Sequence, residues 1–227
     1  MKAILLSAGI GKRLRPFTYD IPKCLIPIKG KPILQIWLEK LTSIGVNQFL
    51  INTHYLHDKV YSFITNSIFK DKVKIIYENK LLGTAGTLIK NIDFVKNEKF
   101  FFFLHVDNYT TDNLKNFLNY HNKNLNNNIL TMMTFKTLHP KSCGIVIKDE
   151  KNVLVDYFEK VKKPPGNEAN AAIYIISHKL ISFLKKSKGY IDFSKDIVPE
   201  LVNKILCYKT EKMFNDIGSV MNYAKFR

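Results

Sequence analysis

The hydrophobic pattern opens on a continuous apolar run, residues 2–8, which ends in small residues and predicts a buried strand. A glycine-containing loop follows through Lys29. Pro32 then opens a helix over Ile33–Leu41, where apolar residues recur at helical spacing. The pattern next predicts a strand at 48–52, a helix at 57–68, a strand at 73–77 and a helix from about 84 to 92. Residues 100–105 read as another buried strand and 112–121 as another helix. Strands alternating with helices predict an α/β class, a Rossmann-like three-layer sandwich with a mixed, mostly parallel central sheet.

After Ile129 the rhythm changes. Residues 129–135, 144–148 and 153–159 look like strands joined by turns, and 171–176 leads into two helices at 179–185 and 196–203. A strand near 206–210 and a helix-like stretch at 219–226 follow. The Asn-rich stretch 122–128 reads as a loop between the two patterns, and no internal repeat or domain boundary is visible.

Composition narrows the class. Of 227 residues, 46% are hydrophobic and 24% charged, which excludes a disordered, collagenous or disulfide-scaffold chain. No apolar run approaches the roughly 18 residues that cross a bilayer, and no membrane partner is expected. The short apolar start fits a strand better than a signal peptide. Cys24, Cys143 and Cys207 lie far apart without metal-ligand spacing, which fits a reducing compartment, and a cytoplasmic location is expected.

Charge adds a direction. The balance of 35 Lys+Arg against 19 Asp+Glu gives +16, which favours anionic partners: nucleic acid, an anionic surface or phosphorylated small molecules. Lysines spread along the chain also serve simply to solvate it. Only three residues are arginine, and Arg13 and Arg15 share one short loop. Where lysine supplies generic charge, an isolated arginine suggests a forked, bidentate grip on phosphate.

That loop reads Leu6-Ser7-Ala8-Gly9-Ile10-Gly11-Lys12-Arg13-Leu14-Arg15-Pro16-Phe17-Thr18, with Pro22-Lys23 beyond it. It follows the first buried strand, at the sheet edge where open α/β folds bind ligands. Gly9 and Gly11 allow the backbone to approach phosphate oxygens, and Arg13 and Lys23 supply positive charge; a tight turn with exposed basic residues is the plainer alternative. The spacing fits neither a Walker loop nor a dinucleotide fingerprint. Asp107 follows the apolar strand 100–104, and Asp216 follows the short run Met213-Phe214-Asn215. Each carboxylate suits either a hard divalent cation or an ordinary turn or helix cap. The six histidines show no ligand spacing, and no nucleic-acid-binding motif is recognisable.

Gly-x-Gly-x-Arg-Leu-x-Pro-x-Thr followed by Pro-Lys resembles the signature of sugar-1-phosphate nucleotidylyltransferases, the nucleoside-diphosphate-sugar pyrophosphorylases. Further segments match in order: Leu82-Gly83-Thr84-Ala85-Gly86-Thr87, Val106-Asp107-Asn108, Glu159-Lys160, Asn170 with Ile173-Tyr174, and Asp216-Ile217-Gly218. The resemblance implies the nucleotide-diphospho-sugar transferase fold in one domain over 1–227. Residues up to about 128 would form a nucleotide-binding half and about 129–227 a sugar-phosphate-binding half. It implies Arg13 and Lys23 as catalytic residues, and Leu6, Ala8, Gly9, Gly11, Lys12, Arg13, Gly83 and Thr84 as nucleotide contacts. Gly144, Glu159, Lys160 and Asn170 would meet the sugar phosphate, and Asp107 and Asp216 would hold Mg²⁺.

The implied partners are a nucleoside triphosphate and a sugar 1-phosphate, with no nucleic acid; homo-oligomer formation is left open. The Leu82–Gly86 turn looks most like guanylyltransferases acting on mannose- or heptose-type 1-phosphates, so GTP is favoured. Thymidylyl, uridylyl or cytidylyl transfer, including transfer to a phosphocholine-like acceptor, is the alternative within the class. A basic nucleic-acid-binding protein is the alternative outside it. The pattern departs from the family at Cys24, Val106, Val161 and Ala172, where proline, glycine, proline and glycine are usual. An additional β-helix or acetyltransferase domain is not expected in this chain.

Overall fold

The computed structural model describes residues 1–124, 128–186 and 189–226, so positions 125–127 of the Asn-rich stretch lie outside the described residues. The first elements are β1 (Lys2–Leu6), β2 (Pro27–Ile28), β3 (Lys31–Pro32), α1 (Ile33–Thr42), β4 (Gln48–Thr53), α2 (His57–Thr65) and β5 (Val73–Tyr77). Next come α3 (Gly83–Lys90), β6 (Phe100–His105), β7 (Asn108–Thr110), α4 (Leu114–Lys123), β8 (Leu130–Lys136) and β9 (Gly144–Lys148). The last are β10 (Leu154–Glu159), β11 (Glu168–Ser177), α5 (Lys179–Lys186), β12 (Ile205–Lys209), β13 (Phe214–Asp216) and α6 (Val220–Ala224). Their contacts form two compact units. Unit 1 comprises Met1–Leu81, Phe103–Thr110 and Asn215–Arg227, and unit 2 comprises Leu82–Phe102 and Thr111–Phe214.

In unit 1 the strand order is β6-β1-β4-β5, and β1 pairs in parallel with β4 and β4 with β5. Ala3, Ile4, Leu5, Phe49, Leu50 and Ile51 are fully buried, as strands covered on both faces must be. Helix α1 turns Ile33, Leu34, Trp37, Leu38 and Leu41 into the core along one stripe. Each such side chain contributes about 1.5–3 kcal/mol of burial. Trp37 also has a polar task. Its indole N–H donates to the carbonyls of Val106 (3.1 Å) and Asn108 (2.9 Å), so a core helix fixes the backbone on both sides of Asp107.

In unit 2, β11 pairs antiparallel with β8 and β9, β10 pairs antiparallel with β9, and β12 runs parallel to β8. The sheet pairing of the chain is therefore mixed, with parallel strands and flanking helices in an α/β fold. The register of β11 shifts between Asn170 and Tyr174, and within that bulge Ala172 has φ +49°. Bulges of this kind re-aim side chains next to functional sites.

The second expected helix after β11 does not form as an α-helix. Residues 193–197 make one π-helical turn and 199–201 a 3₁₀ turn. Local side chains dictate this. The Asp192 carboxylate accepts from the N–H groups of Ser194 and Lys195, Asp196 accepts from Ile191 and Asp192, and Pro199 has no N–H to continue a helix. Among the described residues, no helix is long and apolar enough to cross a membrane.

Candidate active site

In unit 1 the loop after β1 closes on itself. Gly11 has φ +70°, and a Cβ there would meet Thr18 Cγ2 at 2.9 Å. The Thr18 hydroxyl donates to the Gly11 carbonyl at 2.8 Å, so this turn requires glycine. Leu6 ends β1, and Ala8 is buried. Gly9 is exposed with open space where a Cβ would stand, and Lys12 and Arg13 are exposed on the 3₁₀ turn that follows Gly11. Arg15 goes elsewhere, its guanidinium 5.0 Å from the centre of the Tyr19 ring.

The loop's charges meet two carboxylates. Lys23 donates to Asp107 Oδ2 in a partly buried ion pair. The Ile217 N–H donates to the Asp107 carbonyl at 3.0 Å, which brings Asp216, one residue earlier, beside Asp107. A Cβ on Gly218 would lie 2.7 Å and 2.9 Å from the two Asp216 carboxylate oxygens and 3.0 Å from Arg13 Nη2. Glycine is thus the residue that leaves room for the carboxylate and the guanidinium together.

The two carboxylates are driven apart electrostatically. Burial works to raise the Asp107 carboxyl, but the charges of Lys23 and His105 outweigh it and hold it below the usual range. Asp216 is raised, by burial first and by the Asp107 charge second, against the pull of Lys23 and Arg13. Its Oδ1 is buried without a hydrogen-bond partner. An orphaned anionic oxygen beside a second carboxylate fits a hard divalent cation. No group of three or more His, Cys, Asp or Glu side chains suited to a metal is present among the described residues.

Unit 2 carries the remaining expected residues. Glu159 stands opposite Gly144 across the β9–β10 pair, and Tyr157, two residues away, projects on the same face. The Tyr157 hydroxyl donates to Glu159 Oε2 at 2.6 Å, and the Asn170 amide donates to Tyr157 Oη (3.3 Å) and Tyr174 Oη (2.7 Å). The bulge holds that amide in place, because Asn170 Oδ1 accepts from the Ala172 N–H at 2.8 Å. The Lys160 ammonium lies 3.2 Å from Glu159 Oε1 and is largely exposed. Glu159, Asn170, Gly144 and Lys160 thus sit together around two phenols. The Asn170 amide also lies within hydrogen-bond reach of Ser194 Oγ at 3.4 Å, and neither Tyr157 nor Ser194 was among the residues singled out from the sequence.

Gly83 and Thr84 are also in unit 2, at the start of α3. Gly83 has φ +75°, and a Cβ there would collide with the Ile191 carbonyl, which accepts from the Ala85 N–H at 2.9 Å. The Thr84 hydroxyl accepts from the Phe193 N–H at 2.7 Å. Both residues therefore dock the 191–193 segment against this turn.

The sequence of the whole chain decides the family. A family model described as nucleotidyl transferase matches residues 2–227. The chain belongs to the nucleotidyl transferase family. Among relatives in that family, the bifunctional protein GlmU of Methanocaldococcus jannaschii is 31% identical over 225 residues, covering 96% of this chain and 51% of that protein. The mannose-1-phosphate guanylyltransferase catalytic subunit beta of Dictyostelium discoideum is 27% identical over 228 residues, covering 98% of this chain and 62% of that one. The chain thus spans about half to three-fifths of the length of these curated relatives. Among solved structures, HddC from Yersinia pseudotuberculosis complexed with GMP-PN superposes with a TM-score of 0.79 at 24% identity, covering 99% of this chain and 97% of that one. That likeness is one of fold.

Proposed function

We propose that this nucleotidyl transferase moves a nucleotidyl group from a nucleoside triphosphate to a sugar 1-phosphate, giving a nucleoside-diphosphate sugar and pyrophosphate. The observation that carries the reading is the orphaned Asp216 oxygen beside Asp107, flanked by Arg13 and Lys23. Such a set suits a metal-bound triphosphate. In the reaction an oxygen of the sugar phosphate attacks the α-phosphorus in line. The new O–P bond forms as the bond to pyrophosphate breaks, and no protein nucleophile is needed. Catalysis then rests on positioning and charge stabilisation.

Each residue has a task in this reading. The backbone of Leu6, Ala8, Gly9 and Gly11 cradles the triphosphate, with Lys12 at its rim. Arg13 and Lys23 neutralise charge gathering on the departing pyrophosphate. Gly83 and Thr84 present the start of α3 to the base. Glu159, Lys160, Asn170 and the glycine at 144 receive the sugar phosphate. Asp107 and Asp216 would hold Mg²⁺, which supplies charge neutralisation to the phosphates when bound. The net charge of +16 helps gather two polyanions.

GTP and a mannose- or heptose-type 1-phosphate are the favoured substrates. Support comes from the Leu82–Gly86 turn and from a guanylyltransferase subunit among the relatives. The product would serve surface polysaccharide or glycan synthesis in the cytoplasm. Pyrophosphate release over five nucleoside triphosphates and a panel of sugar 1-phosphates tests the assignment. The highest kcat/KM is expected for GTP with a mannose- or heptose-type acceptor. Preference for another base with another sugar would overturn the substrate choice, and no turnover with any pair would overturn the reaction.

A further inference from the structure

Tyr157 occupies an unexpected place. It lies diagonally across from Gly144 on neighbouring antiparallel strands, and its hydroxyl sits where a Cβ on that glycine would be. A Cβ there would also come 2.5 Å from Glu159 Oε2. The side chain is nearly buried, and its one hydroxyl joins two groups: it donates to the Glu159 carboxylate at 2.6 Å and accepts from the Asn170 amide at 3.3 Å. Burial first, then the neighbouring Tyr174 and Glu159, push this phenol well above its ordinary value, so it stays a donor at any working pH.

We propose that Tyr157 is the positioning residue of the acceptor subsite, holding the Glu159 carboxylate and the Asn170 amide in one fixed arrangement before the sugar phosphate arrives. The inference rests on the acceptor reading given above. Glutamate has three side-chain torsions, and a free carboxylate would have to be ordered by the ligand at the ligand's expense. Here one oxygen of Glu159 is tied to Tyr157 while the other faces Lys160 at 3.2 Å. The amide of Asn170 is tied on its other side to Ala172. Gly144 is required because only a bare Cα leaves room for the phenol that organises its neighbours.

The test is Tyr157→Phe, which keeps the ring against Gly144 and removes only the hydroxyl. It is measured beside Glu159→Gln, Asn170→Ala and the double variant Tyr157→Phe/Glu159→Gln, using the sugar 1-phosphate turned over fastest. Loss of a hydrogen bond to a charged group sets the scale, and the acceptor KM in Tyr157→Phe is expected to rise roughly tenfold. The nucleotide KM and the melting temperature should stay near the parent values. In the Glu159→Gln background the second change should add clearly less than it does in the parent, because much of the effect of Tyr157 runs through the charge of Glu159.

An unchanged acceptor KM in Tyr157→Phe, with Glu159→Gln or Asn170→Ala raising it, would overturn the role of Tyr157 and leave the acceptor subsite standing. Fully additive effects in the double variant would overturn it too. If neither Glu159→Gln nor Asn170→Ala moved the acceptor KM, the subsite itself would be misplaced and the inference would fall with it. Should Tyr157→Phe melt far below the parent, titration calorimetry of the sugar 1-phosphate at low temperature replaces the kinetic comparison, with the same outcomes.

Discussion

Ile217 donates its backbone N–H to the carbonyl of Asp107 at 3.0 Å, and with the β7–β13 pairing this bond sets two acidic residues side by side across more than a hundred positions. Asp107 is fixed from the other side by Trp37. Neither Asp→Asn change touches these backbone contacts, so both variants should fold. We expect chelation to abolish activity and either variant to raise the Mg²⁺ needed for half-maximal rate by at least tenfold. A metal titration of the three proteins checks this, and identical curves would remove the metal assignment.

Arg13→Lys is expected to be far from conservative. Lysine keeps the charge and loses the fork. Removing one preorganised donor from a transition state costs about 10²–10³ in turnover. Steady-state kcat with a melting curve checks this; near-parent turnover would make Arg13 a surface charge.

Ala172→Gly should stabilise the protein. A non-glycine residue in the left-handed region costs about 1–2 kcal/mol, and glycine gives back about 0.5–1 kcal/mol through its freer unfolded state. At φ +49° the balance favours glycine by about 0.5–1 kcal/mol. Urea unfolding of both proteins measures it, and a destabilised variant would contradict the argument.

Acid stability should depend on His121. Its Nδ1 pairs with Thr131 Oγ1 at 2.7 Å and its Nε2 is buried without a partner. Burial, helped by Lys99, lowers its pKa to about 4. The unfolded chain takes up this proton near pH 6.5 and the folded chain only near 4, so stability is full above the first value. It falls through that window by on the order of 3 kcal/mol and levels below it. His121→Gln should flatten the decline of melting temperature between pH 6.5 and 4. A parallel decline would exclude His121 as the cause.

Much of this was legible in the sequence because the signals are local. The apolar run 100–104 announces β6 and places Asp107 at its end, and Gly11, Arg13 and Lys23 share one loop. The adjacency of Asp107 and Asp216 was not derivable from spacing, since it depends on the long-range pairing of β7 with β13 and on the Ile217–Asp107 backbone bond. The three-residue β7 escaped notice because so short a strand carries no period. The turn at 193–197 replaced an expected helix because Asp192 and Asp196 bind nearby N–H groups, a competition that apolar periodicity does not register. Nothing in the local sequence distinguishes Tyr157 from other aromatics in strands. Its role comes from a diagonal neighbour that is a glycine.

The most direct test of the central claim follows the oxygen atoms. Sugar 1-phosphate labelled with ¹⁸O in its phosphate is incubated with unlabelled GTP, Mg²⁺ and the protein, and the products are separated by mass. The account expects all label in the nucleoside-diphosphate sugar, none in the pyrophosphate, and no pyrophosphate without the sugar phosphate. Label in the released pyrophosphate, or pyrophosphate formed from GTP alone at the same rate, would contradict it.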